Sequence, residues 1–369
     1  MRRYIEERQR YINQTGKHYH VLVVPGDRTD CAYSGRSVVH RIHSPKIDRS
    51  CDYRALINLG RVREIISSER PDLIECADPY QLAWMIADQS RELKIPAVAF
   101  YHSHFPEACF GFARRFGTRL ASWAVKYSQL YAKHLYNRFR QTLVPSPALA
   151  AVLNGWGVRN VRPVSLGVDT AIFTPGPRNE ERRAVLNVRP DQILLLYVGR
   201  LSYEKNLWML VKAFEHLSHM WPNKYRLHLI GEGSLKADLL NVTLRQPSIS
   251  LQAYVSDTNE LVQNYLAADI FVHPGIHETF GLVTLEAQAC GLPVVGIRGT
   301  FMDRLALNGN HYWADENTPE SLALAISRFS ALPRREIGMR AALRAHADYS
   351  WPQVFHHLFN LYEGVLSKR

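Results

Sequence analysis

The chain predicts an α/β protein built from two parallel-sheet domains, and three observations lead there. From residue 20 onward, apolar runs of strand length alternate with amphipathic stretches of helix length, the pattern of parallel strands joined by helical crossovers. A length of 369 residues suits two domains of ordinary size, each able to bury a substantial core. Between the two series of strands lies SLGVDTAIFTPGPR, where Pro175, Gly176 and Pro177 break regular structure.

The opening MRRYIEERQRYINQ carries apolar residues at helical spacing and predicts an amphipathic helix. HVLVVPG and the run around SVVHRI predict strands near 20–25 and 37–43, and RALINLGRVREIISSE predicts a helix. DLIECAD, PYQLAWMIADQSRELK and PAVAFYH read strand, helix, strand, and ALAAVLNGWGV a helix ending on glycine. The second sheet opens with ILLLYVGRLSYEKNLWMLVKAF, residues 193–214: an all-apolar strand of parallel type, Gly199 and Arg200 at its carboxyl end, a polar loop holding Lys205, then an amphipathic helix. IGEGSL, residues 230–235, repeats the step from strand to glycine. DIFVHP and PVVGI are further strands, with a helix between them that stops at Gly291. In the tail SWPQVFHHLFNLYEGVLSKR, Trp351, Val354, Phe355, Leu358, Leu361, Tyr362 and Val365 fall near helical spacing and need a surface to pack on.

No apolar run approaches the roughly 18–20 residues of a membrane span, and no charged-then-apolar leader precedes a cleavage site. A cytoplasmic location is the expectation. The five cysteines, at 31, 51, 76, 109 and 290, show neither paired nor metal-ligand spacing and are expected to be reduced and mostly buried. Net charge is +11, and residues 1–170 hold +10 of it. No acidic residue occurs from Ala108 to Val168, whereas Arg114, Arg115, Arg119, Lys126, Lys133, Arg138, Arg140, Arg159 and Arg162 do. Such a field attracts an anionic surface. Within it, Phe112, Phe116, Leu120, Trp123, Tyr127, Leu130, Tyr131, Leu135 and Phe139 recur at three-to-four spacing. They form either a membrane-interface face or the core face of a helix with solvated cations. Specific nucleic-acid binding would explain the charge and leave the residues described next without a task.

The stretch HETFGLVTLEAQACGLPVV, residues 277–295, is the most informative. Glu278 and Glu286 stand eight positions apart, around a turn of Thr279, Phe280, Gly281 and Leu282 that leads from a strand into a helix. Unpaired amides of a first helical turn make an anion site, with phosphate the obvious guest. Glu278 beside that site and Glu286 deeper on the same side suit sugar hydroxyls and ribose hydroxyls respectively. In open α/β sheets ligands bind outside the carboxyl ends of strands, so Arg200 and Lys205 face the same crevice and neutralise a diphosphate. Gly231 and Gly233 let backbone approach the ligand closely.

The Glu-x7-Glu pair in this setting resembles the signature of family 4 of the retaining, nucleotide-sugar-dependent glycosyltransferases with GT-B architecture. The resemblance spans nearly the whole chain and is strongest over 143–296, including VPSPAL and PVSLGVDTAIFTP. It implies two Rossmann-like domains facing across a cleft, at 1–175 on the acceptor side and 176–348 on the nucleotide-sugar side, with a helix at 349–369 returning to the first. It implies transfer of a hexose, of mannose or glucose type, from a nucleotide diphosphate sugar to a lipid or glycan acceptor, as in the glycolipid and phosphatidylinositol-type mannosyltransferases. Gly199, Arg200, Glu204 and Lys205 match the pairs that hold the diphosphate there. In YHSHFPEA, residues 101–108, His102 takes the place of the histidine near the transferred sugar, with His104 the second choice. No cofactor is implied, and with no Asp-x-Asp motif and two cations in place, no metal is expected. Kinship with lipid glycosyltransferases favours the membrane reading of 111–140 and a peripheral position on the inner face of the cytoplasmic membrane.

The chain departs from the pattern in three places. His277 precedes Glu278, and TFMDRL sets Asp303 where relatives often have a glutamate after further glycines. Relatives begin with a strand and a glycine loop ahead of the first helix, which implies that about 10–20 residues are missing at the start. A catalytically impaired relative, or a basic nucleotide-binding protein without transfer activity, is the alternative. A nucleotide-sugar epimerase shares the two-domain fold but not this pairing of Arg-Lys with Glu-x7-Glu, and a pyridoxal-phosphate phosphorylase needs a much longer chain.

Overall fold

A computed structural model describes residues 2–46, 54–101, 118–276, 278 and 281–367. The chain divides into two compact units, residues 1–165 with 354–369, and residues 166–353.

In the first unit, helix α1 (Arg2–Thr15) leads into strands β1 (His20–Gly26), β2 (Asp30–Ser34) and β3 (Ser37–His43). They form a sheet of order β1-β3-β2, with β1 parallel and β2 antiparallel to β3. The sequence did not announce β2: DCAYS is mostly exposed and lacks an apolar run, and its pairing follows from the two-residue turn at Gly35, where φ is +59°. A second sheet holds β4 (Ile74–Cys76), β5 (Ala97–Phe100), β6 (Gln141–Val144) and β7 (Val161–Pro163), parallel and in chain order. Around it lie α2 (Leu59–Glu69), α3 (Gln81–Leu93), α4 (Thr118–Tyr136) and α5 (Pro147–Gly155). Helix α2 starts five residues later than the pattern from Arg54 suggests, because the Asn58 side chain caps it by accepting from the Arg61 amide.

Both ends of the chain meet in this unit. Phe355 packs against Tyr4 and Tyr11, and Phe359 stacks on Tyr11 and on His18 at 4.3 Å between centroids. Beneath them the Arg8 guanidinium donates to Glu75 at 2.9 Å, and the Tyr362 hydroxyl donates to the same carboxylate. Cys76 is buried and Cys31 exposed.

The second unit carries one five-stranded parallel sheet. Its strands are β8 (Ile193–Val198), β9 (Tyr225–Ile230), β10 (Ile249–Gln252), β11 (Ile270–Val272) and β12 (Val294–Val295), in the order β10-β9-β8-β11-β12. Helices α6 (Glu180–Val185), α7 (Leu207–Met220), α8 (Lys236–Arg245), α9 (Thr258–Ala267), α10 (Leu282–Ala289), α11 (Pro319–Ser330) and α12 (Arg334–Tyr349) cover it, and the tail helix α13 (Trp351–Leu366) follows. Every residue of β8 is buried, as an all-apolar central strand demands. Leu195 and Tyr197 face a core with Leu210, Phe214 and Phe329, while Leu196 and Val198 face another with Tyr265, Phe271 and Trp313. After β10 the chain returns to the far side of β8, so the direction of winding reverses between β8 and β11. That reversal opens a crevice at the carboxyl ends of those two strands.

One buried ion pair pins the start of the sheet. Arg183 of α6, only 1% exposed, donates to the Asp269 carboxylate at 2.8 Å and to the carbonyls of Ala267 and Gln192, and Asp269 also accepts from the Leu194 amide. Removing one member strands the other in the interior. Arg183→Met should therefore cost about 3–5 kcal/mol, read as a lowered urea midpoint; an unchanged midpoint would show that Asp269 is solvated.

Candidate active site

The crevice at the β8/β11 reversal is shaped first by backbone. Gly199 N–H donates to the Ile230 carbonyl at 3.0 Å, Leu201 N–H to Glu232 at 2.8 Å, and Leu235 N–H to Leu201 at 2.9 Å. The exits of β8 and β9 thus lie in direct main-chain contact. Glycine is required on the β9 side: φ is +156° at Gly231 and +155° at Gly233, and a Cβ would sit 1.9 Å from the Gly199 oxygen or 2.2 Å from the Leu201 oxygen.

Past Arg200 the chain makes a three-ten turn, Tyr203–Lys205, and then Asn206 adopts the left-handed conformation at the head of α7. The Asn206 amide donates to the Pro274 carbonyl at 3.0 Å and to Asn317 at 2.8 Å. It ties the β8 exit to the β11 exit. As a result Lys205 Nζ lies 2.5 Å from Glu278 Oε2, and His273 Nε2 lies 3.8 Å from the same oxygen, near but beyond hydrogen-bond range. His273 is buried, and its Nδ1 has no hydrogen-bond partner among the described residues. Burial by itself would raise the pKa of Glu278, yet the neighbouring His273 ring and Lys205 ammonium hold it well below the ordinary value of 4.5. Glu278 is an anion with a cation in contact.

Arg200 stands apart from that pair. Its Nη1 donates to Glu204 at 3.0 Å, with both side chains 60% exposed, and its carbonyl accepts from the buried Tyr197 hydroxyl. Arg304, half-buried, lies within electrostatic reach of Glu278, and burial lowers its pKa to about 10. The neighbouring Asp303 is turned to its own loop, where it accepts from the Gly299 amide at 3.0 Å.

Helix α10 begins at the β11 side. Gly281 caps it at φ +65°, with no room for a Cβ beside Met302 and Leu305. The Gly281 carbonyl takes the amides of Thr284 and Leu285, so the amides before them, Leu282 included, have no acceptor within the helix. Glu286, one turn in, is buried, and its carboxylate accepts from the Tyr265 hydroxyl at 3.0 Å.

The structure therefore brings together Gly199, Lys205, Gly231, Gly233, Glu278, Gly281 and Leu282, with Arg200 at the rim and Glu286 below. His102, His104, His277, Thr279 and Phe280 lie outside the described residues. Four residues escaped the sequence reading: Asn206, Tyr265, His273 and Arg304. His273 alone had a signal, since it follows a buried strand at the carboxyl end where ligands collect.

Comparison with known proteins fits this geometry. Residues 1–172 match Glycosyltransferase Family 4, and residues 178–347 match Glycosyl transferases group 1. A GDP-mannose-dependent alpha-(1-6)-phosphatidylinositol dimannoside mannosyltransferase of Mycobacterium tuberculosis is 30% identical over 344 residues, 91% of this chain and 85% of that protein. A sulfoquinovosyl transferase of Arabidopsis thaliana is 33% identical over 298 residues, 78% of this chain but 54% of that protein, so the chain spans about half the length of that relative. Among solved structures, a sucrose-phosphate synthase from Thermosynechococcus elongatus superimposes with TM-score 0.77 at 20% identity, covering 99% of this chain and 94% of that one. Anabaena HepE in complex with UDP gives 0.73 at 17%, covering 94% and 100%. The solved structures establish the GT-B fold, and the sequence matches establish that the chain belongs to family 4 of the glycosyltransferases.

Proposed function

We propose that this enzyme moves a hexose, with retention of configuration, from a nucleotide diphosphate sugar to a lipid or glycan acceptor. One observation carries the reading: Lys205 and Glu278, delivered by the exits of β8 and β11, meet at the reversal point of the sheet beside two glycine turns and the head of α10. A dinucleotide-type sheet presents exactly such a crevice to a diphosphate. Lys205 and Arg200 neutralise the departing diphosphate, the first amides and dipole of α10 add to them, and no metal is required. Glu278 holds sugar hydroxyls next to the phosphate, and Glu286 holds the ribose. The transition state is oxocarbenium-like, and the departing diphosphate oxygen takes the acceptor proton on the face it leaves, which preserves configuration. The GDP-mannose dependence of the mycobacterial relatives favours a GDP-linked mannose as donor, and the UDP-glucose complex of HepE makes UDP-glucose the second to test.

The same proposal includes a membrane contact through α4. Trp123, Tyr127 and Leu130 are 61%, 68% and 44% exposed and share one face, with Arg119, Lys126 and Lys133 exposed nearby. Ser128, Ala132 and Leu135 form the buried face. The aromatic row and the core face are thus different sides of one helix, the arrangement of an interfacial helix. No described helix is long and apolar enough to cross a membrane.

Three outcomes test these readings. With GDP-mannose or UDP-glucose as donor, Lys205→Ala or Arg200→Ala should lower kcat/KM by about two to three orders of magnitude, the cost of removing one preorganised charge from the transition state; unchanged turnover sinks the assignment, and tight nucleotide binding by a wild-type chain that transfers no sugar favours the inactive relative. Because Glu278 titrates below its ordinary value in the folded chain, its contribution to stability is complete above pH 4.5 and is lost as the pH falls toward its folded value. Lys205→Ala should accordingly be about 1.5–3 kcal/mol less stable than wild type at pH 7, with the gap narrowing below pH 4.5 in urea titrations; a pH-independent gap contradicts the pairing. Co-sedimentation with liposomes should rise with anionic lipid and fall with salt, at about 1 kcal/mol for each engaged cation, and equal binding to neutral vesicles would point to a soluble acceptor.

A further inference from the structure

We infer that Tyr265 is the positioning residue that orients Glu286 toward the ribose hydroxyls of the nucleotide, and so sets the preference for ribonucleotide over deoxyribonucleotide donors. The inference rests on the ribose role proposed for Glu286. It begins with a buried, ring-packed phenol. Tyr265 sits on α9, 1% exposed, with Phe173 edge-on at 6.1 Å and Phe271 tilted at 6.1 Å. Its hydroxyl crosses to α10 and donates to Glu286 Oε2 at 3.0 Å, closer than the 3.4 Å to the Val283 carbonyl.

A carboxylate enters a protein interior only with hydrogen bonds to hold its charge. Glu286 is 4% exposed, and the Tyr265 phenol supplies one such hydrogen bond. A partly desolvated carboxylate suits two neighbouring hydroxyls, each able to donate one hydrogen bond to it. Its usefulness depends on the orientation of the carboxylate plane, because the terminal torsion of glutamate is broad and does not fix itself. The bond from Tyr265 fixes it from behind. Tyr265 touches no nucleotide in this scheme and acts through Glu286 alone.

A site built to receive a hydroxyl rejects the analogue that lacks it, because its buried acceptor is then left unmatched. The test is calorimetric binding of GDP and UDP, each beside its 2′-deoxy and 3′-deoxy forms, to the wild type, Tyr265→Phe and Glu286→Gln. Tyr265→Phe keeps the ring packing, and a melting curve checks the fold. Wild type should favour the ribonucleotide about tenfold or more. Tyr265→Phe should cut that ratio about 3- to 10-fold while leaving deoxynucleotide affinity in place. Equal weakening of both forms would mark the hydroxyl as merely structural and overturn the inference. If Glu286→Gln loses the preference and Tyr265→Phe retains it, the role of Tyr265 fails alone. If Glu286→Gln retains the preference, or the wild type binds neither diphosphate, the ribose reading of Glu286 fails and the inference with it.

Discussion

Two strand exits that touch through their backbones set the position of the charged groups in the second unit. The Gly199 oxygen occupies the space where any side chain at Gly231 would begin, and the Leu201 oxygen does the same for Gly233. Because the exits of β8 and β9 are locked in this way, the turn carrying Arg200 and Lys205 starts from a fixed point. Asn206 then fastens its far end to Pro274 on the β11 exit. A polar loop held at both ends delivers an ammonium to within 2.5 Å of a carboxylate 73 residues away in sequence. Preorganisation of this kind is what electrostatic catalysis needs, since charges that must be gathered during the reaction contribute less.

The two cations proposed for the diphosphate are held with different strengths, and the difference is useful. Arg200 pairs with Glu204 in the open, where an ion pair is worth roughly 0–1 kcal/mol. Exchanging that partner for a phosphate costs little. Lys205 is three-quarters covered and shares its carboxylate with His273 nearby, so it stays in place whether or not an anion arrives. One cation is a covered wall of the crevice and the other an exposed rim. The burial that makes Glu278 costly as an anion is outweighed by His273 and Lys205, and the same burial would strengthen the pull of Lys205 on the proposed diphosphate.

Much of this was legible in the sequence, for identifiable reasons. The six apolar residues of β8 announce a central parallel strand because burial on both faces allows nothing else there. Gly231, Gly233 and Gly281 mark close approaches that only glycine tolerates, and Glu278 and Lys205 carry charge just past strand ends where ligands collect, with Glu286 one helical turn deeper. The remainder depended on contacts distant in the chain. Tyr265 reads as an ordinary core residue and His273 only as a residue at a strand end, until folding sets one against Glu286 and the other against Glu278. Asn206 reads as a loop residue, and its task is set by a carbonyl 68 positions away. Strand β2 was missed because an exposed edge strand needs no apolar alternation, and the late start of α2 because a single capping side chain at Asn58 outweighs helical periodicity ahead of it.

Charge is spread unevenly along the chain, with +10 of the net +11 in residues 1–170. Around the second sheet, Arg183 is matched by Asp269, Lys205 by Glu278 and Arg200 by Glu204. In the first unit, Arg8 is matched by Glu75 and Arg138 by Asp88, but Lys126, Lys133, Arg140, Arg159 and Arg162 have no carboxylate within ion-pair distance among the described residues. The acid-free segment from Ala108 to Val168 makes this a property of composition rather than of one rotamer. Its field must be balanced from outside the chain, by mobile ions or by an anionic surface, and at physiological salt it reaches only about 8 Å. Any partner it attracts therefore has to come into contact. The exposed Trp123, Tyr127 and Leu130 on the same segment supply the apolar part of such a contact, where cations alone would give only loose, salt-sensitive attraction.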